Sequence, residues 1–399
     1  MGKRIGCWTA VAALVGVVFA PGRLVGAEDK RPDAVPTIQV AILLDTSNSM
    51  DGLINQARTQ LWKVVGEFTT IRLAGKTPKL EVALYEYGND GLNAREGFLR
   101  LVVPLTANLD KVSEAMFALK TNGGQEYCGK VVDAATRQLV WSDSAKDVKC
   151  IFIAGNEPFT QGDVDYIKAC KAAAAKGIAV NTIFCGPQKE GIRTHWQHGA
   201  QLADGSYMSV DQDRALAAES APQDKELAQL GVQLNATYLA YGDATKRLEA
   251  AQRQSAQDAN AARSAAGAAA ARASFKASGL YRNAEWDLVD AVQEGKAKLE
   301  SLTEDQLPEP IRNLTLEQKK TYVQKLADQR KLVQGQIAKV SLARKDYLAA
   351  QEKVLQAQIA ASAKSTGGAM AAKAAAAPAA RMTFEGAVID AVRAQAKKK

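Results

Sequence analysis

The chain has 399 residues, 47% of them hydrophobic and 24% charged, a balance that builds folded domains and excludes disorder throughout. Its formal net charge is +8, but residues 28–213 carry roughly −3 and residues 214–399 roughly +8, so the basic excess belongs to the second half. Bases and acids are interspersed there, which argues against nucleic acid as a partner and leaves an anionic envelope surface as one that suits the charge.

The first 27 residues have the layout of an export signal. Lys3 and Arg4 precede the uncharged apolar run Trp8–Ala20, and Val25-Gly26-Ala27 places small residues before Glu28. The run is shorter than the ~20 apolar residues a bilayer span needs, and no later stretch is apolar enough to cross a membrane. A periplasmic or secreted chain with no transmembrane segment after signal removal is the expectation.

After a linker at 28–36, residues 37–214 read as one domain. Ile38–Leu44 is an apolar run that ends at Asp45, as a buried parallel strand does. Leu53–Thr69 has helical spacing, with Leu53, Ala57, Leu61, Val64, Val65 and Phe68 on one face. Strands are predicted at Leu80–Tyr87, Phe98–Leu105, Cys150–Ala154 and Ile178–Cys185, and helices at Asp110–Leu119, Lys130–Trp141 and Val164–Lys176. This alternation predicts an α/β fold, a doubly wound, mostly parallel sheet with helices on both faces.

From Arg214 onward alanine becomes frequent and β-branched runs disappear. Residues 215–362 are predicted as an α-helical hairpin or coiled-coil region, with helices at Leu227–Ser278, Leu280–Leu302 and Thr315–Ser362. Leu326, Val333, Val340, Tyr347 and Val354 recur at heptad spacing, but Arg330, Arg344 and Gln351 interrupt the second seam, which favours a hairpin over a dimeric zipper. Residues 363–382 are an Ala/Gly/Pro linker. Residues 383–399 form a short amphipathic helix with Phe384, Val388, Ala391 and Val392 in one stripe.

The sharpest chemical signal is Asp45-Thr46-Ser47-Asn48-Ser49. A carboxylate and two hydroxyls at alternate positions follow a strand end, which in an α/β sheet faces the ligand crevice. Oxygens aimed at one point suit a hard divalent cation, Mg²⁺ first and Ca²⁺ or Mn²⁺ after it. Asp45 alone also suits a helix cap; the two serines favour the metal.

This strand-loop-helix, with the stretch to Asp213 and the closing Leu202-Ala203-Asp204-Gly205-Ser206-Tyr207, resembles the von Willebrand factor A domain and its metal-ion-dependent adhesion site. The whole chain also resembles exported bacterial proteins of this type with a helical C-terminal extension. The resemblance implies a non-catalytic module that binds a protein ligand through the metal, an acidic side chain of the partner completing its shell. Two further loops depart from the pattern. Gly-Gly-Thr is replaced by Gly123-Gly124-Gln125-Glu126, which makes Glu126 the expected oxygen donor and Gln125 the second choice. Thr-Asp-Gly is replaced by Ala154-Gly155-Asn156-Glu157, so Asn156 or Glu157 must stand in for the aspartate. Glu126 has a bland reading as a helix-start acid, and Glu157 as a loop surface residue.

Removal of the signal leaves Cys128, Cys150, Cys170 and Cys185, and four cysteines in an oxidising compartment allow three pairings. Cys128 follows the second loop and Cys185 ends a strand, so a Cys128–Cys185 bridge is the expected pair, with Cys150 and Cys170 as buried thiols. Enzymatic chemistry is not expected. Ser47 and Ser49 lack an evident histidine base, and neither a G-x-S-x-G elbow nor a phosphate loop occurs. His195 and His198 have no acidic or cysteine partner near in sequence, so a polar helix face is expected of them. The alternative to metal-dependent partner binding is a metal-free envelope scaffold that associates through its helices.

Overall fold

The computed structural model describes residues 35–210, 220–265, 267–365 and 384–399. The predicted export signal and the predicted linker from residue 366 onward lie outside them. Strands β1 (Thr37–Asp45), β2 (Lys79–Tyr87), β3 (Leu99–Thr106), β4 (Val148–Gly155), β5 (Ala179–Cys185) and β6 (Tyr207–Val210) form one six-stranded sheet in the order β3-β2-β1-β4-β5-β6. All neighbours are parallel except β3, which runs antiparallel to β2 at the edge. This is the mostly parallel, doubly wound sheet expected from the alternation.

The apolar runs make central strands because helices cover both faces. On one face α1 (Asp51–Phe68) and α2 (Leu109–Ala118) bury Leu53, Leu61, Trp62, Val65, Phe68, Val112 and Met116 against Val40, Ile42, Leu44 and Phe152. On the other, α3 (Cys128–Gln138), α4 (Tyr166–Ala175) and α6 (Trp196–Gln201), which follows the short α5 (Gln188–Arg193), enclose Leu43, Tyr85, Ile151, Ile153 and Phe184. The last strand begins where the predicted one ends. Asp204 adopts φ 52°, and a Cβ on Gly205 would lie 1.9 Å from the Val180 carbonyl oxygen, so Leu202–Ser206 is a turn that delivers β6 to the sheet edge.

The helical region is more broken than its composition suggested. Leu227–Ser278 is three helices, α7 (Asp224–Asn235), α8 (Ala244–Ser264) and α9 (Ala268–Lys276). Gly242 at φ 91° and the Asp243 cap, whose carboxylate accepts from the Thr245 and Lys246 amides, restart the chain into α8, and Gly267 at φ 78° restarts it into α9. Between Leu280 and Leu302 α10 (Leu288–Gln293) is the only α-helix. The short α11 (Glu309–Arg312) then leads to α12 (Leu316–Ser365), a single 50-residue helix.

These helices pack on the sheet domain and on each other. α8 lies on α2, α9 on α1 and α7, and α12 on α7, α9 and α10. Ion pairs run through the seams. Arg272 of α9 donates to Asp110 of α2 at 2.7 Å with both side chains buried, and Tyr281 donates to the same carboxylate at 2.7 Å. Arg330, expected to interrupt the α12 seam, is buried: it donates to Asp287 at 2.7 Å, to Asp290 at 2.6 Å and to the Thr237 carbonyl at 2.6 Å. Leu326, Val333 and Ile337 are buried within the chain, whereas Val354 is exposed. The terminal helix α13 (Phe384–Ala396) buries Phe384, Ala387, Val388, Ala391 and Val392 against α1 and the β4–β6 side of the sheet.

Candidate metal centre

Strand register builds the site. Asp45 is paired with Tyr87 at the end of β2, and Leu44 with Ala154 one residue before the end of β4, so Asp45, Tyr87 and Gly155 end three adjacent strands side by side. The loops that follow are fastened to one another. The Thr46 amide donates to the Tyr87 carbonyl at 2.8 Å, the Asn122 amide to the Thr46 carbonyl at 2.9 Å and the Asp90 amide to the Gly123 carbonyl at 2.5 Å.

Five of the predicted residues converge there. Asp45 is fully buried, and its Oδ1 accepts from the Ser47 amide at 2.8 Å. The Ser47 and Ser49 hydroxyls are 3.2 Å apart, and Asn156 Nδ2 donates to Ser49 Oγ at 3.1 Å. Glu126 is buried beside Asp45, within hydrogen-bonding reach of the Asp45 carboxyl and the Ser47 hydroxyl. It lies two residues before the first residue of α3, in the loop, and Gln161 Oε1 accepts from its amide at 2.6 Å. Burial, and then Glu126 next to it, push the Asp45 carboxyl well above the usual carboxylate range; burial also raises Glu126. Glu157 is exposed at the rim, and its carbonyl accepts from Trp196 Nε1 at 2.8 Å.

Three buried oxygens in this group have no protein partner: Asp45 Oδ2, Glu126 Oε2 and Asn156 Oδ1. Buried acceptors without donors are costly. With the two serine hydroxyls they form an all-oxygen set from three loops, the chemistry that Mg²⁺, Ca²⁺ and Mn²⁺ prefer. The residues therefore fit a divalent cation, although among the described residues no group of three His, Cys, Asp or Glu gathers at one point.

Sequence reading missed the residues that shape the cradle. A Cβ on Gly88 (φ 77°) would stand 2.7 Å from both Asp45 Oδ1 and Glu126 Cγ, and one on Gly124 would stand 2.4 Å from the Gly88 carbonyl oxygen. At Gly155 a Cβ would meet Tyr87 Oη at 2.5 Å and Asp45 Oδ2 at 3.0 Å. Tyr87 is buried; its hydroxyl donates to the Ala154 carbonyl at 3.0 Å and lies 3.8 Å from Cys128 Sγ. The tyrosine explains why position 155 carries no side chain. The Gly88 and Gly155 signals, a glycine one step past a strand and a glycine closing one, were present in the sequence.

The expected Cys128–Cys185 bridge does not form. Cys128 belongs to the core on the α3 face and Cys185 to the core on the α1 face, so the sheet lies between them. Cys150 and Cys170 are buried thiols, and burial pushes the Cys170 thiol up to about 12. The Tyr166 hydroxyl and His198 Nδ1 are hydrogen-bonded at 2.8 Å.

Residues 39–194 match the family described as von Willebrand factor type A domain. A search among curated proteins finds no match. Similar solved structures include the conserved hypothetical protein BatB from Bacteroides thetaiotaomicron, 18% identical over 44% of this chain and 90% of that one, with a TM-score of 0.33. The SpRpn10 VWA domain is 15% identical over 45% of this chain and 91% of its own, with a TM-score of 0.34. Proximal thread matrix protein 1 from the mussel byssus, with a zinc-occupied MIDAS motif, is 12% identical over 45% of this chain and 43% of its own, with a TM-score of 0.35. Residues 39–194 of this chain are a von Willebrand factor type A domain, of a family that often mediates protein–protein interaction at a metal-ion-dependent adhesion site.

Proposed function

We propose that this chain is an exported binding module that grips a protein partner through a divalent cation held by Asp45, Ser47, Ser49, Glu126 and Asn156. The observation that carries the reading is the set of three partnerless buried oxygens, Asp45 Oδ2, Glu126 Oε2 and Asn156 Oδ1, beside two serine hydroxyls. A cation there would supply a fixed positive charge able to take an oxygen from a partner. The chain's own groups do the rest. Ser47 and Asn156 orient the loop, Gly88 and Gly155 keep the cradle clear, and α8 and α9 brace the domain on α2 and α1. The N-terminal pattern of residues 1–27 supports export to the periplasm or outside the cell.

The test is a calorimetric titration of Mg²⁺, Ca²⁺ and Mn²⁺ into chelator-stripped protein, with Asp45→Ala alongside. Saturable binding that disappears in the folded variant supports the reading. Absence of binding in the parent chain, or binding that survives Asp45→Ala, sinks it.

A further inference from the structure

The end of the domain opposite the metal loops is basic. Strand register aligns the starts of four parallel strands there: Thr37 pairs with Lys79, Ile38 with Val148 and Gln39 with Lys149, and Ala179 begins β5 beside Cys150. Lys146 and Lys149 flank the start of β4, Lys176 ends α4, and Lys397, Lys398 and Lys399 follow α13. Hydrogen bonds gather them. Lys399 Nζ donates to the Ala145 carbonyl at 2.9 Å, and Lys149 Nζ donates to the carbonyls of Ser142 at 2.8 Å and Lys176 at 2.6 Å. Lys176 Nζ donates to the Thr136 carbonyl at 3.0 Å. The amides of Lys397, Lys398 and Lys399 donate to the carbonyls of Arg393, Gln395 and Ala396, so the lysine run stays wound on the end of α13.

Carbonyl oxygens fix the ammonium groups of Lys149, Lys176 and Lys399 without cancelling their charge. Of the acids beside Lys149, Asp147 is buried and accepts from the Thr37 amide at 2.8 Å and from Ser142 Oγ at 2.6 Å, whereas Asp143 is exposed. Asp204 is exposed in the turn into β6. Lys146, Lys176, Lys397, Lys398 and Lys399 are all exposed, and Arg72, Lys76 and Lys79, exposed where the chain returns from α1 to β2, extend the basic rim. Lysines at a helix C-terminus also complement the helix dipole. That accounts for the run after α13 but not for Lys146, which stands ahead of a strand.

We propose that this basic end docks on an anionic phospholipid surface, with Lys146, Lys176, Lys397, Lys398 and Lys399 over the headgroup phosphates. Lysine is a compact charge on a flexible stem, which suits phosphates whose positions are not fixed, and each lysine near such a surface strengthens binding about fivefold. The metal loops lie at the far end of strands of eight or nine residues, about 30 Å away at ~3.3 Å per residue, so docking turns the metal face outward, toward a partner. The chain also enters the domain at the basic end, where the Lys79 amide donates to the Pro36 carbonyl at 2.8 Å; on the export reading this is the end that follows the signal. The docking itself does not depend on the metal.

The test is co-sedimentation with vesicles of phosphatidylglycerol and phosphatidylcholine in equal parts, beside vesicles of phosphatidylcholine alone, with no metal added. The apolar run of the signal would itself enter a bilayer, so the chain from Glu28 onward is used; the compact body begins at Val35. It should bind the anionic vesicles about tenfold or more tightly than the neutral ones, and high salt should abolish the difference. The triple variant Lys397→Gln, Lys398→Gln, Lys399→Gln should bind about tenfold or more weakly, and Lys146→Gln with Lys176→Gln about fivefold or more weakly. Lys325→Gln, Lys331→Gln, Lys339→Gln removes three exposed lysines of α12 and should bind as the parent does. Should the variant after α13 melt early, the Lys146 and Lys176 pair decides. Equal binding to both kinds of vesicle overturns the proposal, as does parent-like binding by both variants of the basic end. Equal weakening by the α12 variant would show a response to net charge alone, and capture of a DNA duplex as tightly as of anionic vesicles would remove the lipid assignment. None of these results bears on the metal reading, which calorimetry tests separately.

Discussion

Gly155 and Tyr87 compete for one small volume, and a double-mutant cycle measures that competition. A methyl group added at 155 would stand 2.5 Å from Tyr87 Oη, 3.0 Å from Asp45 Oδ2 and 3.2 Å from Asp45 Cβ, all in buried surroundings. Overpacking of this kind costs about 1–3 kcal/mol, and the rigid tyrosine in a strand puts Gly155→Ala at the upper end. Tyr87→Phe removes the hydroxyl that donates to the Ala154 carbonyl at 3.0 Å, a loss of about 1 kcal/mol. It also removes the atom that meets the new methyl. The double variant should therefore be about 1–2 kcal/mol more stable than the sum of the single changes predicts. Urea midpoints, with a check that the slope m is unchanged, give the three values. Additivity within about 0.5 kcal/mol would refute the argument, because it would mean that the hydroxyl does not fill the space where the family pattern has its aspartate.

The Asp45–Glu126 pair sets a pH dependence of unusual sign. Both folded-state pKa values are raised, so the pair's contribution is fully present below the ordinary carboxylate range near ~4 and is lost as pH rises through the raised values. Metal-free protein should lose thermal stability over that rise, excess Mg²⁺ should reverse the loss, and Asp45→Asn should flatten it; an unchanged slope in Asp45→Asn would count against the pair. Arg330→Met leaves Asp287, which is fully buried, without its guanidinium partner and should cost about 3–5 kcal/mol by denaturant titration. A cost under ~1 kcal/mol would show that Asp287 finds another donor. Val388→Asp puts a carboxylate into the core between α13 and the sheet domain and should lower the melting temperature of the sheet domain itself, followed by near-ultraviolet dichroism of Trp62 and its neighbours. An unchanged melting temperature would mean that α13 is not part of that core.

The sheet was legible because each central strand is an apolar run ended by a punctuating residue, and helices on both faces leave no other reading of Ile38–Leu44 or Cys150–Ala154. The antiparallel edge was not, since direction leaves no periodic trace. Alanine-rich stretches misled for a related reason. Helix propensity is high through Leu227–Ser278, so the breaks at Gly242–Asp243 and Gly267 rest on two positive-φ glycines and one cap that composition outweighs. Arg330 looked like a flaw in a seam because its acids, Asp287 and Asp290, are about forty residues away and come together only in the fold. The cysteine pairing failed because strand ends share an edge of the sheet but not a face, and alternation along β5 decides the face.

The departures from the family pattern in the second and third loops belong together. Tyr87 projects from the end of β2 into the space beside Asp45, and its hydroxyl is satisfied by the Ala154 carbonyl, so position 155 has room for glycine alone. An aspartate there is sterically excluded, and an oxygen donor from the third loop can only come from a residue past the strand, where Asn156 stands with its amide tied to Ser49. An amide is neutral where the family pattern has a carboxylate, and the missing negative charge reappears on the second loop at Glu126, where the pattern has a threonine. On the proposed reading the set would keep two carboxylates, two serine hydroxyls and one neutral oxygen, with the second charge on the loop before α3 instead of at the end of the fourth strand. Glu126→Thr should therefore leave a cradle with one carboxylate that binds Mn²⁺ less well than the parent, although it restores the family's own residue. Tighter binding by Glu126→Thr would show that the charge at 126 compensates for nothing.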